Sequence, residues 1–216
     1  MNREVTTKTR LLDGRQPESL AVAAGLLQAG ELVVFPTDTV YGVGCLPFDE
    51  HAIRNLYDVK QRPVDKGIPI LLADATDLPL VCRELPESAQ ALIERYWPGP
   101  LTLIVPRQPE LPEMISRRYH CSSYSRQRYS RNPDPCGGGA VAASSANRSG
   151  QPPAVSGDGA LRSLGEMVAA VVDGGPTPDD QPSTIIDCTG PVPRILRRGP
   201  LSASDLNTFG NMEDLA

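Results

Sequence analysis

Apolar positions along the chain switch between helical and strand spacing, and Pro and Gly mark most of the switches. In Pro17–Gln28, Leu20, Ala21, Ala24, Leu26 and Leu27 follow helical spacing, and Gly30 is a normal terminator. Glu31-Leu-Val-Val-Phe35 predicts a short buried strand ended by Pro36, which leaves Thr37-Asp-Thr39 on the following turn. Residues 49–60 predict a second helix with Ile53, Leu56 and Tyr57 on one face, stopped before Arg62-Pro63. Ile68-Pro-Ile-Leu-Leu72 reads as a strand, residues 86–97 as a third helix halted at Pro98-Gly-Pro100, and Leu101-Thr-Leu-Ile-Val105 as a third strand. Further on, Ala140-Val-Ala-Ala143 is strand-like and runs into Ser144-Ser-Ala-Asn147. Residues 161–172 predict a helix followed by strand-like residues, and Thr184-Ile-Ile186 and Arg194-Ile-Leu196 close the sheet. Residues 207–216 are expected to be a loose tail. The alternation predicts an α/β (α+β-like) sheet domain.

Length narrows this further. The chain has 216 residues, which fits one domain with about 180–200 ordered residues, and no repeat, heptad run or Gly/Ser linker marks a second. With 40% hydrophobic and 22% charged residues, it has the balance of a globular protein that buries a core. No window approaches 18 apolar residues and residues 1–10 are polar, so neither a membrane span nor a secretory signal is expected. The five cysteines are odd in number and scattered without a CxxC pair, which points to a reducing cytoplasm and no structural zinc. A formal charge of −5 argues against holding nucleic acid by bulk electrostatics and leaves room only for a local basic patch.

The chemistry available is also restricted. There are two histidines, His51 and His120, so a nucleophile activated by histidine has few options. No HExxH, P-loop or dinucleotide glycine signature occurs. What remains are clusters of hydroxyls, amides and cations at the ends of predicted elements: Pro36-Thr-Asp-Thr-Val-Tyr-Gly42, Lys60-Gln-Arg-Pro63, Ser144-Ser-Ala-Asn147, Ser183-Thr184 and Arg197-Arg-Gly199. Singly, each suits a turn or a helix end. Together they suit an anionic substrate, which Lys60, Arg62 and Arg197 can neutralise while the hydroxyls and amides orient it.

In order and spacing these clusters resemble the YrdC-like (TsaC) threonylcarbamoyl-adenylate synthases. The resemblance rests on Phe35-Pro-Thr-Asp-Thr-Val-Tyr-Gly-Val-Gly44, Lys60-Gln-Arg-Pro63 with Lys66, Tyr96-Trp-Pro-Gly-Pro-Leu-Thr102, Ser144-Ser-Ala-Asn-Arg-Ser-Gly150, Ser183-Thr-Ile-Ile186 and Ile195-Leu-Arg197 with Gly199-Pro200. It covers residues 15–118 and 138–206, within a single YrdC-like domain taken as 1–216. It implies a single open, twisted, mixed sheet flanked by helices, and a reaction of L-threonine, bicarbonate and ATP with Mg²⁺, without a tightly bound cofactor or a protein-bound metal. The product would pass to threonylcarbamoyl-transfer machinery acting on tRNA. Carried over by position, Lys60, Arg62, Ser145 and Asn147 form the catalytic tetrad. Lys66 and Arg197 join Lys60, Arg62 and Ser145 on ATP, and Thr37, the Ala143 backbone and Thr184 hold threonine.

One stretch departs from the resemblance. Between Ile115 and Ala140 there is no Val, Leu, Ile, Met or Phe, which predicts no buried strand of ordinary composition where the family has one. Three readings compete for residues 119–137. They are a loop with Arg126, Arg128 and Arg131 between tyrosines that contacts tRNA, a frameshifted segment, or a natural replacement; a frameshift best explains how abruptly the match resumes at Ala140. The same loop motivates the alternative function, a catalytically inactive RNA-binding or ribosome-associated protein.

Overall fold

In the computed structural model, residues 9–116, 119–124, 139–177, 181–206, 209 and 212–216 are described, with 119–124 and 203–204 as backbone alone. Helix α1 (Pro17–Gln28) begins with Pro at its first position, where the missing N–H is no loss. It ends at Gly30, whose φ of +79° suits a residue without Cβ. Helix α2 (Glu50–Lys60) starts at Asp49, whose carboxylate accepts the Ala52 amide at 3.0 Å, and Gln61 leaves it in a left-handed conformation with φ 49°. Helix α3 (Glu87–Tyr96) stops at Trp97-Pro98. In α4 (Gly157–Leu164) the Ser156 hydroxyl accepts the Gly159 amide at 3.1 Å. The predicted start at residue 161 is therefore too late, because this Ser-Gly-Asp-Gly opening carries a cap and no apolar periodicity.

Among the described residues eleven strands form one sheet. In chain order they are β1 (Arg10–Asp13), β2 (Val33–Pro36), β3 (Tyr41–Cys45), β4 (Ile70–Leu72), β5 (Leu101–Pro106), β6 (Tyr119–Tyr124), β7 (Ala140–Ser145), β8 (Ala170–Asp173), β9 (Thr184–Asp187), β10 (Arg194–Arg197) and β11 (Glu213–Asp214). Their spatial order is β1-β8-β2-β3-β7-β4-β6-β5-β9-β10-β11. Pairs β1/β8, β2/β8, β4/β6, β5/β9 and β10/β11 are parallel and the others antiparallel, so the expected open mixed sheet flanked by helices is what the chain forms.

The two faces are covered unequally. On one face Ile70, Leu72, Leu101, Leu103, Val105, Ala140, Ala142 and Ile186 join Ile53 and Leu56 of α2, Ala89 and Leu92 of α3, and Ala160 and Leu164 of α4 in the larger core. On the other, Val33, Phe35, Ala143, Ala170 and Val172 pack against Ala23 and Leu27 of α1. Since strand side chains alternate between faces, Leu71, Thr102, Ile104 and Ile185 point to the side of α1, beyond the strands that this helix covers. That uncovered stretch of the sheet is where the cavity lies.

Two expectations are corrected here. Residues 119–124 form a strand held on both sides, Ser122 opposite both Ile70 of β4 and Leu103 of β5. Its pairing comes from backbone groups, which any non-proline residue supplies, so the lack of aliphatic side chains did not prevent it. Residues 125–137, with Arg126, Arg128 and Arg131, lie outside the described residues. In the tail expected to be loose, Glu213 and Asp214 pair with β10 at Arg194 and Ile195.

Candidate functional site

The turn joining β2 to β3 brings the first polar groups. The Thr37 hydroxyl donates to the Val40 carbonyl at 2.6 Å and its oxygen faces the Thr39 amide at 3.4 Å, which makes a closed hydroxyl turn. Tyr41, fully buried at the start of β3, anchors it by donating to the Gly175 carbonyl at 2.6 Å.

Arg62 follows α2 where Pro63 forbids more helix. Its Nε donates to the Lys66 carbonyl at 3.0 Å and its Nη2 to the Gly67 carbonyl at 2.6 Å, so the guanidinium shapes the loop that leads into β4. At the other side of the sheet, Arg197 Nε donates to the Ser183 carbonyl at 3.0 Å and Nη2 reaches the Ser183 hydroxyl at 3.2 Å. That hydroxyl lies 2.6 Å from the Thr102 hydroxyl.

These elements enclose a cavity of about 450 Å³ lined by Thr37, Thr39, Arg62, Thr102, Ala143, Ser144, Ser145, Ser183 and Arg197, with Val40, Ile68, Leu71, Ile104, Ile115 and Ile185 as its apolar floor and walls. The size falls in the range of small-molecule sites. Among the described residues that line it are two guanidinium groups and no carboxylate, a balance that favours a polyanion.

Of the residues singled out from sequence, Thr37, Arg62, Ala143, Ser145 and Arg197 meet at this cavity. Lys60, Lys66, Asn147 and Thr184 do not line it. Lys66 is exposed on the Arg62 loop. Thr184 is fully buried and its hydroxyl accepts the Leu201 amide at 3.3 Å. Asn147 is buried and its amide nitrogen donates to the Arg148 carbonyl at 3.0 Å and to that of Gln151. Its Oδ1 has no hydrogen-bond partner among the described residues.

Lys60 is 1% exposed. Its ammonium donates to the Ser145 carbonyl and, at 2.7 Å, to the Asn147 carbonyl. Burial lowers its pKa to about 8, and the charge of Arg62 adds to the effect. Thr102, Ser144 and Ser183 were visible in sequence only as parts of clusters. The signal for Thr102 was a lone hydroxyl between Leu101 and Leu103 on a strand, the one polar position on the face away from the core. Ser116 also lines the cavity and had no signal.

Among the described residues no helix is long and apolar enough to cross a membrane. A family model, Sua5_yciO_yrdC, with the description Telomere recombination, matches residues 25–199. A Mycobacterium leprae protein provisionally named threonylcarbamoyl-AMP synthase is 38% identical over 199 residues, 88% of this chain and 87% of its own. The threonylcarbamoyl-AMP synthase of Bacillus subtilis is 34% identical over 197 residues, and the match spans 55% of that relative's length. Among solved structures, Pyrococcus abyssi Sua5 complexed with L-threonine superposes with a TM-score of 0.90 at 31% identity, covering 95% of this chain and 62% of that one. Escherichia coli YciO has a TM-score of 0.79 at 21% identity, a likeness of fold.

Proposed function

The chain belongs to the Sua5/YciO/YrdC family, and from that premise we propose that it is a threonylcarbamoyl-AMP synthase, an L-threonylcarbamoyladenylate-forming nucleotidyltransferase. The observation that carries the reading is the cavity in which Arg62, Arg197, Thr37 and Ser145 converge without a carboxylate. The threonine amine and bicarbonate condense to a carbamate with loss of water. A carbamate oxygen then bonds to the α-phosphorus of ATP while the bond to pyrophosphate breaks. Attack at phosphorus needs alignment and neutralisation of charge more than a protein nucleophile, and that is what this cavity offers.

In this reading Arg62 and Arg197 neutralise the triphosphate, with Lys66 as a third cation on the Arg62 loop and Ser145 as a hydroxyl donor. Thr37 and the Ala143 backbone receive threonine, and Thr184, buried at the start of β9 beside Ser183, supports the opposite wall. ATP enters as its magnesium complex. The ion would be carried in on the ATP phosphates, which supply oxygen ligands of the kind Mg²⁺ prefers. The adenylate passes to threonylcarbamoyl-transfer machinery that modifies tRNA. The cytoplasm is the proposed compartment, in keeping with Cys45, Cys82 and Cys188 as buried free thiols.

The test is threonine- and bicarbonate-dependent formation of threonylcarbamoyl-adenylate and pyrophosphate by the purified chain. Arg62→Ala should reduce it at least tenfold. No product from a folded wild-type protein, or full activity in Arg62→Ala, would remove the proposal.

A further inference from the structure

We propose that Lys60 is a positioning residue, which serves the reaction by clamping the 145–147 turn through its backbone carbonyls and does not touch a substrate phosphate. The inference deepens the proposed function and rests on it for what Ser145 does in the cavity. It departs from the role that the family resemblance implies for this lysine.

The helix itself sets up the arrangement. Ile53, Leu56, Tyr57 and Lys60 follow one another at helical spacing on the buried face of α2, so the amine is delivered into the protein and must find acceptors there. It finds the carbonyls of Ser145 and Asn147. The same residue's own carbonyl accepts the Ser149 amide at 2.8 Å. Three hydrogen bonds thus tie the last turn of α2 to the segment that leaves β7. The Asn147 amide nitrogen ties that segment to itself through the Arg148 and Gln151 carbonyls.

Ser145 lines the cavity, whereas Lys60 does not. To reach a phosphate, the ammonium would have to abandon two charge-assisted hydrogen bonds and leave the Asn147 carbonyl without its donor, while the Ser145 carbonyl would keep the Asn147 amide at 2.9 Å. Arg62, two residues on, already supplies a cation to the cavity from the exposed side of the same helix end. The two members of the Lys-x-Arg motif therefore divide the work: the arginine meets the substrate and the lysine fixes the wall.

Two measurements test this. In the wild-type protein, Lys60 and Lys66 are two of three lysines in the chain, so amine acetylation can be followed residue by residue by mass spectrometry. Lys66 should label at least tenfold faster than Lys60, and saturating MgATP should leave the Lys60 rate unchanged. Labelling of Lys60 in the free protein with threefold or greater protection by MgATP would overturn the proposal. In Lys60→Met, kcat should fall at least tenfold while KM for ATP stays within threefold, and amide exchange across residues 143–149 should quicken at least tenfold. A tenfold rise in KM for ATP with kcat kept, or unchanged exchange, would overturn it. Exchange needs neither turnover nor nucleotide, so it reads the clamp even if the wild-type chain makes no adenylate, a result that would remove the proposed function alone.

Discussion

Arg197 is joined twice to Ser183, through the serine carbonyl at 3.0 Å and its hydroxyl at 3.2 Å. An exposed arginine on β10 is thereby aimed at a cavity that its own strand does not enclose. Charge-assisted hydrogen bonds of this kind are worth about 1.5–3 kcal/mol. Arg197→Ala should raise KM for ATP at least tenfold and Ser183→Ala by less. Because the pair acts as a unit, the double variant should be no worse than Arg197→Ala. Additive losses in steady-state kinetics would show that the two act separately.

Gly199 sits where no side chain fits. A Cβ there would fall 2.4 Å from the Thr184 nitrogen and 2.6 Å from the Pro182 carbonyl oxygen, both backbone atoms that cannot swing aside. Gly199→Ala should destabilise the fold by about 1–3 kcal/mol, read by urea denaturation. It should also lower kcat/KM, since the displaced segment carries Ser183. Unchanged stability would mean that this backbone contact is slack.

Neighbouring positions on β5 should behave oppositely. Leu103 is fully buried in the core between sheet and helices, while Ile104 lines the cavity. Leu103→Ala should cost about 2–5 kcal/mol with catalysis by the remaining folded protein intact. Ile104→Ala should cost less stability and weaken substrate binding measured by calorimetry. The reverse ranking would place the cavity on the wrong face of the sheet.

Asp187 should govern part of the acid stability. Its burial raises the carboxyl pKa, but the Thr189 hydroxyl and amide and the Arg194 guanidinium at 2.6 Å outweigh this and lower it below the ordinary 3.8. The stability it contributes is complete above the unfolded pKa and is lost as pH falls through the lower folded one. Asp187→Asn should therefore destabilise the protein by about 1–3 kcal/mol at pH 7 and narrow the difference from wild type below about pH 3.5. A constant difference from pH 7 to 3 would sink the assignment.

Lys60 has a linkage of the same sign in a higher pH window. Its folded pKa of about 8 lies below the ordinary 10.5, so between those values the unfolded chain binds more protons and stability rises with pH. Below pH 8 the amine is charged in both states and contributes least. Denaturation at pH 7.5 and 10 should show wild type gaining stability relative to Lys60→Met at the higher pH; an unchanged gap would mean that the buried amine titrates normally.

Much of the sheet was legible because its inner strands carry dense apolar runs. Ile68-Pro-Ile-Leu-Leu72 and Leu101-Thr-Leu-Ile-Val105 announced β4 and β5, and α1 to α3 had clean stops at Gly30, Pro63 and Pro98. The strands that escaped notice lack that signal. Tyr41-Gly-Val-Gly-Cys45 reads as a polar turn because its glycines hide the alternation, although Gly44 has room for no Cβ against Val141, 2.7 Å away. Residues 119–124 escaped because backbone pairing leaves no mark on side-chain composition.

At the site, residue types were legible and their surroundings were not. Thr37, Arg62, Ser145 and Arg197 were found from hydroxyl and cation clusters, and they do converge. The burial of Lys60 was written in its spacing from Ile53, Leu56 and Tyr57, but a lysine at a helix end suggests a solvated cation unless that periodicity is carried one step further. The link from Thr102 through Ser183 to Arg197 could not be read, because it depends on the pairing of β5 with β9.

That pairing, Leu101 opposite Thr184, and the pairing of Arg10 with Ala170 join segments made far apart in time. A nascent chain that has emerged through β7 already holds Thr37, Arg62, Thr102 and Ala143, yet has neither Ser183 nor Arg197. Its pocket has one wall missing. Long-range pairings of this kind form late, so the wall that carries Ser183 and Arg197 closes the cavity only near the end of synthesis.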